Sequence, residues 1–236
     1  MDRGRFITLE GPEGAGKTTQ AVVIADMLRD LGREVVLTRE PGGTPVGEAI
    51  RALLFGHGED GISSVAESLL HAAARAQHVQ DVIGPALAAG TDVVCDRFAD
   101  SSIAYQGGGR GLDPVTLQRV QAFATGGLRP DVTLLLDLPV EVGLARRMRD
   151  LDQINHLDRE GEEFHRRVRE AYHRLAADAP SVWVIIDAAR PASEVSKAIR
   201  HSLRLRFDVK DAGTNTSLPV PGITVSPRRD HPRRIS

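Results

Sequence analysis

The sequence predicts an α/β domain, a three-layer arrangement in which helices cover both faces of a five-stranded, mostly parallel sheet. Three observations carry this. Five short runs are almost continuously apolar, helical apolar spacing fills the stretches between them, and a glycine-rich turn joins the first run to the first helix. Phe6-Ile7-Thr8-Leu9 reads as the first strand, and Glu10-Gly11 leads into the turn. Lys17 to Leu31 then carries apolar residues at helical spacing until Gly32 stops it. Glu34 to Thr38 reads as the second strand and Thr44 to Phe55 as a helix. A long helical region runs from about Val65 to Ala89, with an interruption expected at Gly84-Pro85. Asp92 to Asp96 is the third strand. Helical patterns follow around Ser101 and from Pro114 to Phe123, and Val132 to Asp137 is the fourth strand. Val140 to Met148 and Glu162 to Ala177 read as helices, Val182 to Asp187 as the fifth strand, and Ala192 to Leu205 as the last helix.

The 236 residues suit one large domain, assigned here to 1–206, with an appendage at 207–236. That appendage contains four prolines between Gly213 and Ser236 and the basic pairs Arg228-Arg229 and Arg233-Arg234, so it reads as a flexible tail. No apolar run approaches the ~20 residues that span a bilayer, and no apolar targeting stretch follows Met1. Cys95 is the single cysteine and can form no internal disulfide. A cytoplasmic protein that binds no membrane is expected. Thirty basic and 32 acidic side chains leave a net charge of −2, which argues against a nucleic-acid partner. Only three of the 30 cations are lysines, and Lys17 is the only one before Lys197.

Gly11-Pro12-Glu13-Gly14-Ala15-Gly16-Lys17-Thr18 fits G-x-x-x-x-G-K-[ST] at every specified position and lies between a strand and a helix. In such a P-loop, backbone N–H groups and the helix N-terminus cradle phosphate oxygens. Lys17 neutralises β- and γ-phosphate charge, and Thr18 is placed to ligate Mg²⁺. A turn that merely packs a helix on a sheet would leave the lysine buried without an anion, at a cost. A GTPase would carry a guanine-reading Asn-Lys-x-Asp, which the lysine positions exclude before residue 197. Asp96-Arg97 closes the third strand, where a carboxylate can hold the Mg²⁺ shell and a guanidinium can fork onto phosphate.

Four segments together resemble the thymidylate kinase family, in its order and spacing. They are Glu10 to Thr19, Thr38-Arg39-Glu40-Pro41-Gly42-Gly43-Thr44, Asp96-Arg97, and Ala104-Tyr105-Gln106-Gly107-Gly108-Gly109-Arg110-Gly111. The similarity runs from about Arg5 to Leu205. It implies a P-loop kinase fold, a homodimer, and transfer of the γ-phosphoryl of ATP, with Mg²⁺, to dTMP. Donor phosphates would then lie on Gly11, Gly14, Ala15, Gly16, Lys17, Thr18 and Thr19, and the metal on Thr18 and Asp96. The resemblance puts Glu13 near the acceptor sugar and phosphates, and Arg39, Arg51 and Arg97 on the transferred and accepting phosphates. It puts Arg75 at the pyrimidine edge, Ser102 and Gln106 near the base, and Tyr105 beside the deoxyribose. A lid near 149–161 would close over ATP, with Arg146, Arg147 and Arg149 at its root and catalytic charge drawn from Arg146 and Arg149. The sequence departs from the family in two places. His71 stands where a phenylalanine usually stacks on thymine, so its imidazole would stack as a neutral ring and lose affinity on protonation. Asn155-His156-Leu157-Asp158 replaces the usual Asp-Arg-x-Glu of the lid. These departures leave open a kinase for another or modified deoxypyrimidine monophosphate, and a nucleotide-binding regulatory protein with weakened turnover.

Overall fold

The computed structural model describes residues 3–56, 61–148, 157, 160–207 and, for the backbone only, 223–224. Five parallel strands form the sheet: β1 (Phe6–Glu10), β2 (Val35–Arg39), β3 (Asp92–Asp96), β4 (Val132–Asp137) and β5 (Trp183–Asp187), in the spatial order β2-β3-β1-β4-β5. Ile7 pairs with Val94 on one side and Val132 on the other, so β1 lies at the centre. A two-residue strand β6 (Ile223–Thr224) adds antiparallel to the edge strand β5, opposite Ile186 and Ile185. The rest of the tail assigned to 207–236, apart from Phe207, lies outside the described residues, as does most of the expected lid.

Alternation along the strands divides the core between the two faces. Ile7, Leu9, Val94, Leu134, Leu136 and Ile186 are buried with Ile24 and Leu28 of α1 (Lys17–Asp30) and Ile199 and Leu203 of α9 (Ala192–Phe207). On the other face Leu135 packs with Phe164, Val168 and Tyr172 of α8 (Glu162–Asp178), and Phe6, Val93 and Cys95 pack with Phe98, Ile83 and Leu87.

The remaining helices are α2 (Pro45–Gly56), α3 (Ser64–His78), α4 (Gly84–Ala88), α5 (Ala99–Ser102), α6 (Pro114–Thr125) and α7 (Val140–Arg147). The break in the long helical region falls one turn earlier than expected from Gly84-Pro85. A π-helical segment, Val79–Ile83, separates α3 from α4, and the Gly84 N–H reaches back to the Val79 carbonyl. Pro85 supplies the reason, because it has no N–H and its ring needs room against the carbonyl four residues earlier, which a widened turn provides. A second π-helical segment, Ile103–Gly109, holds the glycine-rich motif against α8. A Cβ on Gly108 would stand 2.6 Å from the Ala171 Cβ, and one on Gly109 would enter the Phe164 ring, so the close approach requires glycine.

Every one of the five parallel strands ends at its carboxyl edge on a charged residue: Glu10, Arg39, Asp96, Asp137 and Asp187. That edge is where ligands bind in an open α/β sheet. Asp137 anchors α8 there by accepting two bonds from Arg169 (2.7 and 2.8 Å) and lying 3.1 Å from His173 Nε2. Burial works against its charge, but the Arg169 and His173 contacts hold its carboxyl well below the usual range.

Candidate active site

A cavity of about 570 Å³ opens along this edge, between the P-loop, the β2–α2 loop, α3 and the α5/π segment. The P-loop turns through left-handed conformations at Gly14 (φ 70°) and Gly16 (φ 84°). A Cβ on Gly14 would collide with the Gly143 carbonyl, so this turn tolerates no side chain at that point. Lys17 is 7% exposed and folds back over its own loop, donating to the Gly11 carbonyl (3.0 Å) and the Pro12 carbonyl (2.8 Å). Burial, with Arg97 nearby, lowers its pKa to about 8 against the pull of Glu13, Asp96 and Glu10. An ammonium enclosed without a carboxylate partner among the described residues is arranged for an anion supplied from outside.

Thr18 donates its hydroxyl to Asp96 Oδ2 (2.6 Å), and the buried Asp96 Oδ1 has no hydrogen-bond partner among the described residues. A hydroxyl and an orphaned carboxylate oxygen beside a phosphate loop are a donor set suited to a hard divalent cation.

Arg97 is the only non-glycine residue among the described residues with positive φ (73°), which aims its side chain across the cavity floor. Nη2 donates to Glu13 Oε1 (2.6 Å) and the Tyr105 hydroxyl (3.2 Å), and Tyr105 also donates to Glu13 Oε1 (2.9 Å). Nη1 reaches the Gly11 carbonyl, Ser101 Oγ and the Tyr172 hydroxyl at 3.3–3.4 Å. Burial alone would raise the Glu13 pKa, but Arg97 and then Lys17 bring it down to about 2. Beneath them Glu10, wholly buried, is pushed up to about 7 by burial and by Asp100, against hydrogen bonds from Ser101 and Phe98 and the charge of Arg97.

At the other end of the cavity, Arg39 pairs with Glu48 (2.9 Å) and Arg51 donates to the Pro41 carbonyl (3.0 Å) with its guanidinium 4.9 Å from the Phe55 ring centre. Both line the cavity with His71, Ser102, Tyr105 and Gln106. Gln106 is 2% exposed, and its Nε2 donates to Glu67 (2.7 Å). His71 faces the cavity, and burial together with Arg75 lowers its pKa to about 4, so the ring is neutral at physiological pH. The titration expected near neutrality is thereby displaced to the acid side.

Arg75 is the predicted acceptor residue that does not reach the cavity wall. It is 2% exposed, and its guanidinium donates to Glu40 Oε2 (2.7 Å), Ser102 Oγ (3.0 Å), the Phe98 carbonyl (2.9 Å) and Gln121 Oε1. Arg146 lines the donor end but donates to the Ala188 and Ala189 carbonyls (2.8 and 3.0 Å), which ties α7 to the loop after β5. Arg147 also lines the cavity, and Arg149 lies outside the described residues.

Sequence reading did not single out Glu10, Ser101, Tyr172, Phe55 or Glu67 as site residues. Glu10 alone carried a signal, since an acidic residue closes a strand that is otherwise apolar.

The family model described as thymidylate kinase matches residues 9–199. The chain belongs to the thymidylate kinase family. A relative from Thermomicrobium roseum, named thymidylate kinase, is 54% identical over 194 residues, covering 82% of this chain and 91% of the relative. A thymidylate kinase from Pseudomonas fluorescens strain SBW25 is 52% identical over 196 residues, covering 83% and 93%. Among solved structures, a thymidylate kinase from Ehrlichia chaffeensis superposes with a TM-score of 0.69 at 32% identity and covers 85% of this chain and 99% of that one. The members of the family are thus similar to this chain over the whole region that builds the cavity, and the P-loop kinase fold is shared.

Proposed function

We propose that this chain transfers the γ-phosphoryl group of ATP to dTMP, giving ADP and dTDP. The observation that carries the reading is one continuous cavity that joins a P-loop to a pocket lined by arginines and by base-sized polar and aromatic groups. Loop amides and Lys17 would take the β- and γ-phosphates, Arg39 and Arg51 the acceptor phosphate, and Arg97 the region where the two meet. An oxygen of the dTMP phosphate, already ionised at neutral pH, attacks Pγ while the bond from Pγ to the bridging oxygen of ADP breaks. No side-chain base is required. The chain's contribution is alignment and compensation of charge spread over the transferred group. Thr18 and Asp96 would hold Mg²⁺, which supplies charge neutralisation at the β- and γ-phosphates when bound.

Gln106 supports a thymine or uracil base. A carboxylate can only accept, so Glu67 fixes the amide with its nitrogen turned away, and Oε1 is left to accept the N3–H of an imide. Cytosine would bring a lone pair to that oxygen. In a coupled assay of ADP release with dTMP, dUMP, dCMP, UMP and CMP, kcat/KM is expected to be highest for dTMP and at least about 10²-fold lower for dCMP, a lower bound set below the roughly 10⁴–10⁵-fold by which a site built to hydrogen-bond a substrate N–H rejects an analogue lacking it. Absence of acceptor-dependent ADP release would overturn the reading and favour a regulatory nucleotide-binding protein.

His71 stacks in this reading as a neutral ring. His71→Phe is expected to tighten dTMP binding by about 0.5–1.5 kcal/mol and to leave the pH dependence of that binding between about pH 6 and 8 unchanged, because the imidazole titrates near 4. Calorimetric titration at several pH values checks both. Weaker binding would instead indicate a modified acceptor that the imidazole recognises.

A homodimer is proposed from an apolar patch on two adjacent helices. Val65 and Leu69 of α3 are 57% and 54% exposed, and Val115 and Phe123 of α6 are 52% and 91% exposed. Exposed apolar side chains on two helices that pack side by side offer a surface that a second copy of the chain could cover. Light scattering is expected to give twice the chain mass for the wild type and a monomer for Phe123→Glu. No helix among the described residues is long and apolar enough to cross a membrane. A cytoplasmic location is proposed on the single cysteine, which suits a reducing compartment.

A further inference from the structure

Glu10 has no part in the mechanism above, yet its carboxylate is fully buried directly below the phosphate site, where an unpaired charge is costly. Three donors converge on it: the Phe98 N–H on Oε1 (2.8 Å), and the Ser101 (2.6 Å) and Tyr172 (2.9 Å) hydroxyls on Oε2. It makes no ion pair with Arg97, whose carboxylate partner among the described residues is Glu13. The same two hydroxyl oxygens lie 3.3 and 3.4 Å from Arg97 Nη1. A hydroxyl has one hydrogen, and an ionised carboxylate can only accept. The two hydroxyl oxygens also lie 3.0 Å from each other, but the ionised carboxylate, at 2.6 and 2.9 Å, is the stronger acceptor, so both hydrogens point down to Glu10 and both oxygens present lone pairs upward to the guanidinium.

We propose that Glu10 is a positioning residue for phosphoryl transfer, which acts through the Ser101 and Tyr172 hydroxyls to hold the Arg97 guanidinium in its orientation across the cavity floor. The relay joins the end of β1 to α5 and α8, the two elements that flank Arg97, so the orientation is fixed by three separate parts of the fold. An amide at position 10 keeps the shape but offers hydrogens of its own. With the amide oxygen kept on the Phe98 N–H, the nitrogen meets the two hydroxyls, which must turn their hydrogens away from position 10 and lose the arrangement that faces lone pairs to Nη1; the opposite orientation sets donor against donor at Phe98. The proposal rests on the kinase reading in that Arg97 is taken to face phosphate, but the orientation itself does not depend on which nucleotide binds.

The test uses the full chain at about pH 8, above the Glu10 titration near 7, and reads two quantities. The first is rotation of the Arg97 guanidinium, followed by NMR in the nucleotide-free protein. It is expected to be slow in the wild type and at least roughly tenfold faster in Glu10→Gln, where a preorganised contact has been lost. The second is turnover. Glu10→Gln is expected to lower kcat roughly tenfold or more with KM for ATP changed less than about twofold, and to add no further loss in an Arg97→Lys background. Should Glu10→Gln fail to fold, Ser101→Ala combined with Tyr172→Phe keeps the carboxylate and is expected to speed the same rotation. Unchanged rotation in the folded variants, or an equal loss of kcat with and without Arg97, would overturn the relay. Wild-type protein with slow rotation but no turnover of dTMP would leave the relay standing and remove the kinase reading alone.

Discussion

Lys17→Ala is expected to lower kcat for phosphoryl transfer by at least about 10²-fold, the usual loss when a preorganised charge is removed from the reacting group, without unfolding the protein. The Lys17 ammonium is enclosed, and burial and Arg97 depress its pKa to about 8 from an ordinary 10.5. Between those values the unfolded chain binds the proton that the folded chain has released, so stability rises with pH across that window. Below about pH 8 the charge is a full penalty on the nucleotide-free fold. Alanine removes that penalty together with two hydrogen bonds to loop carbonyls, each of which contributes about 1 kcal/mol. The opposing changes leave the nucleotide-free variant close to the wild type in urea denaturation. They separate once nucleotide is added, because ATP raises the wild-type midpoint by binding only the folded state and should raise that of the variant much less. Near-normal turnover, or an equal response of both proteins to ATP, would sink the assignment of Lys17 to the phosphates.

The donor half of this site was legible in the sequence because its physics is local. A strand, a glycine loop and a helix follow one another without interruption, and the spacing Gly11 to Thr18 alone places the amides, the lysine and the hydroxyl. Asp96 was legible for a related reason, since a charged residue at the end of an apolar strand marks the ligand-binding edge. The two π-helical segments were not legible, because a single inserted residue leaves the helical spacing of apolar positions almost unchanged over so short a stretch. Nor was the relay below Arg97, whose members Glu10, Ser101 and Tyr172 come from parts of the chain that only the folded sheet brings together. The same limit explains Arg75. Sequence similarity marks it as a residue of the acceptor side, but only the structure shows that its donors are committed to protein groups beneath the pocket.

That burial changes what Arg75→Ala is expected to do. The substitution leaves the Glu40 carboxylate, 5% exposed, without its guanidinium, and strips a donor from Ser102, Gln121 and the Phe98 carbonyl. Removing one partner of a buried ion pair costs about 3–5 kcal/mol, because the remaining charge stays out of water; here Glu40 would keep only the contact between Oε1 and His78 Nδ1 (3.0 Å). At roughly 2–4 °C per kcal/mol for a domain of this size, the thermal midpoint should fall by about 10 °C. Binding of dTMP should weaken as well, since Ser102 and the α3 wall lose the group that locks them, so the loss on the acceptor side follows from the loss of packing. Two comparisons separate charge from shape. Arg75→Lys retains a cation for Glu40 but cannot span the four acceptors, and it should recover only part of the stability. Arg75→Met with Glu40→Gln removes both charges and should unfold at a higher urea concentration than Arg75→Met alone, because the penalty belongs to the orphaned carboxylate. If Arg75→Ala instead keeps the wild-type midpoint and loses only dTMP affinity, the guanidinium acts on the base directly and the buried network contributes nothing to the fold.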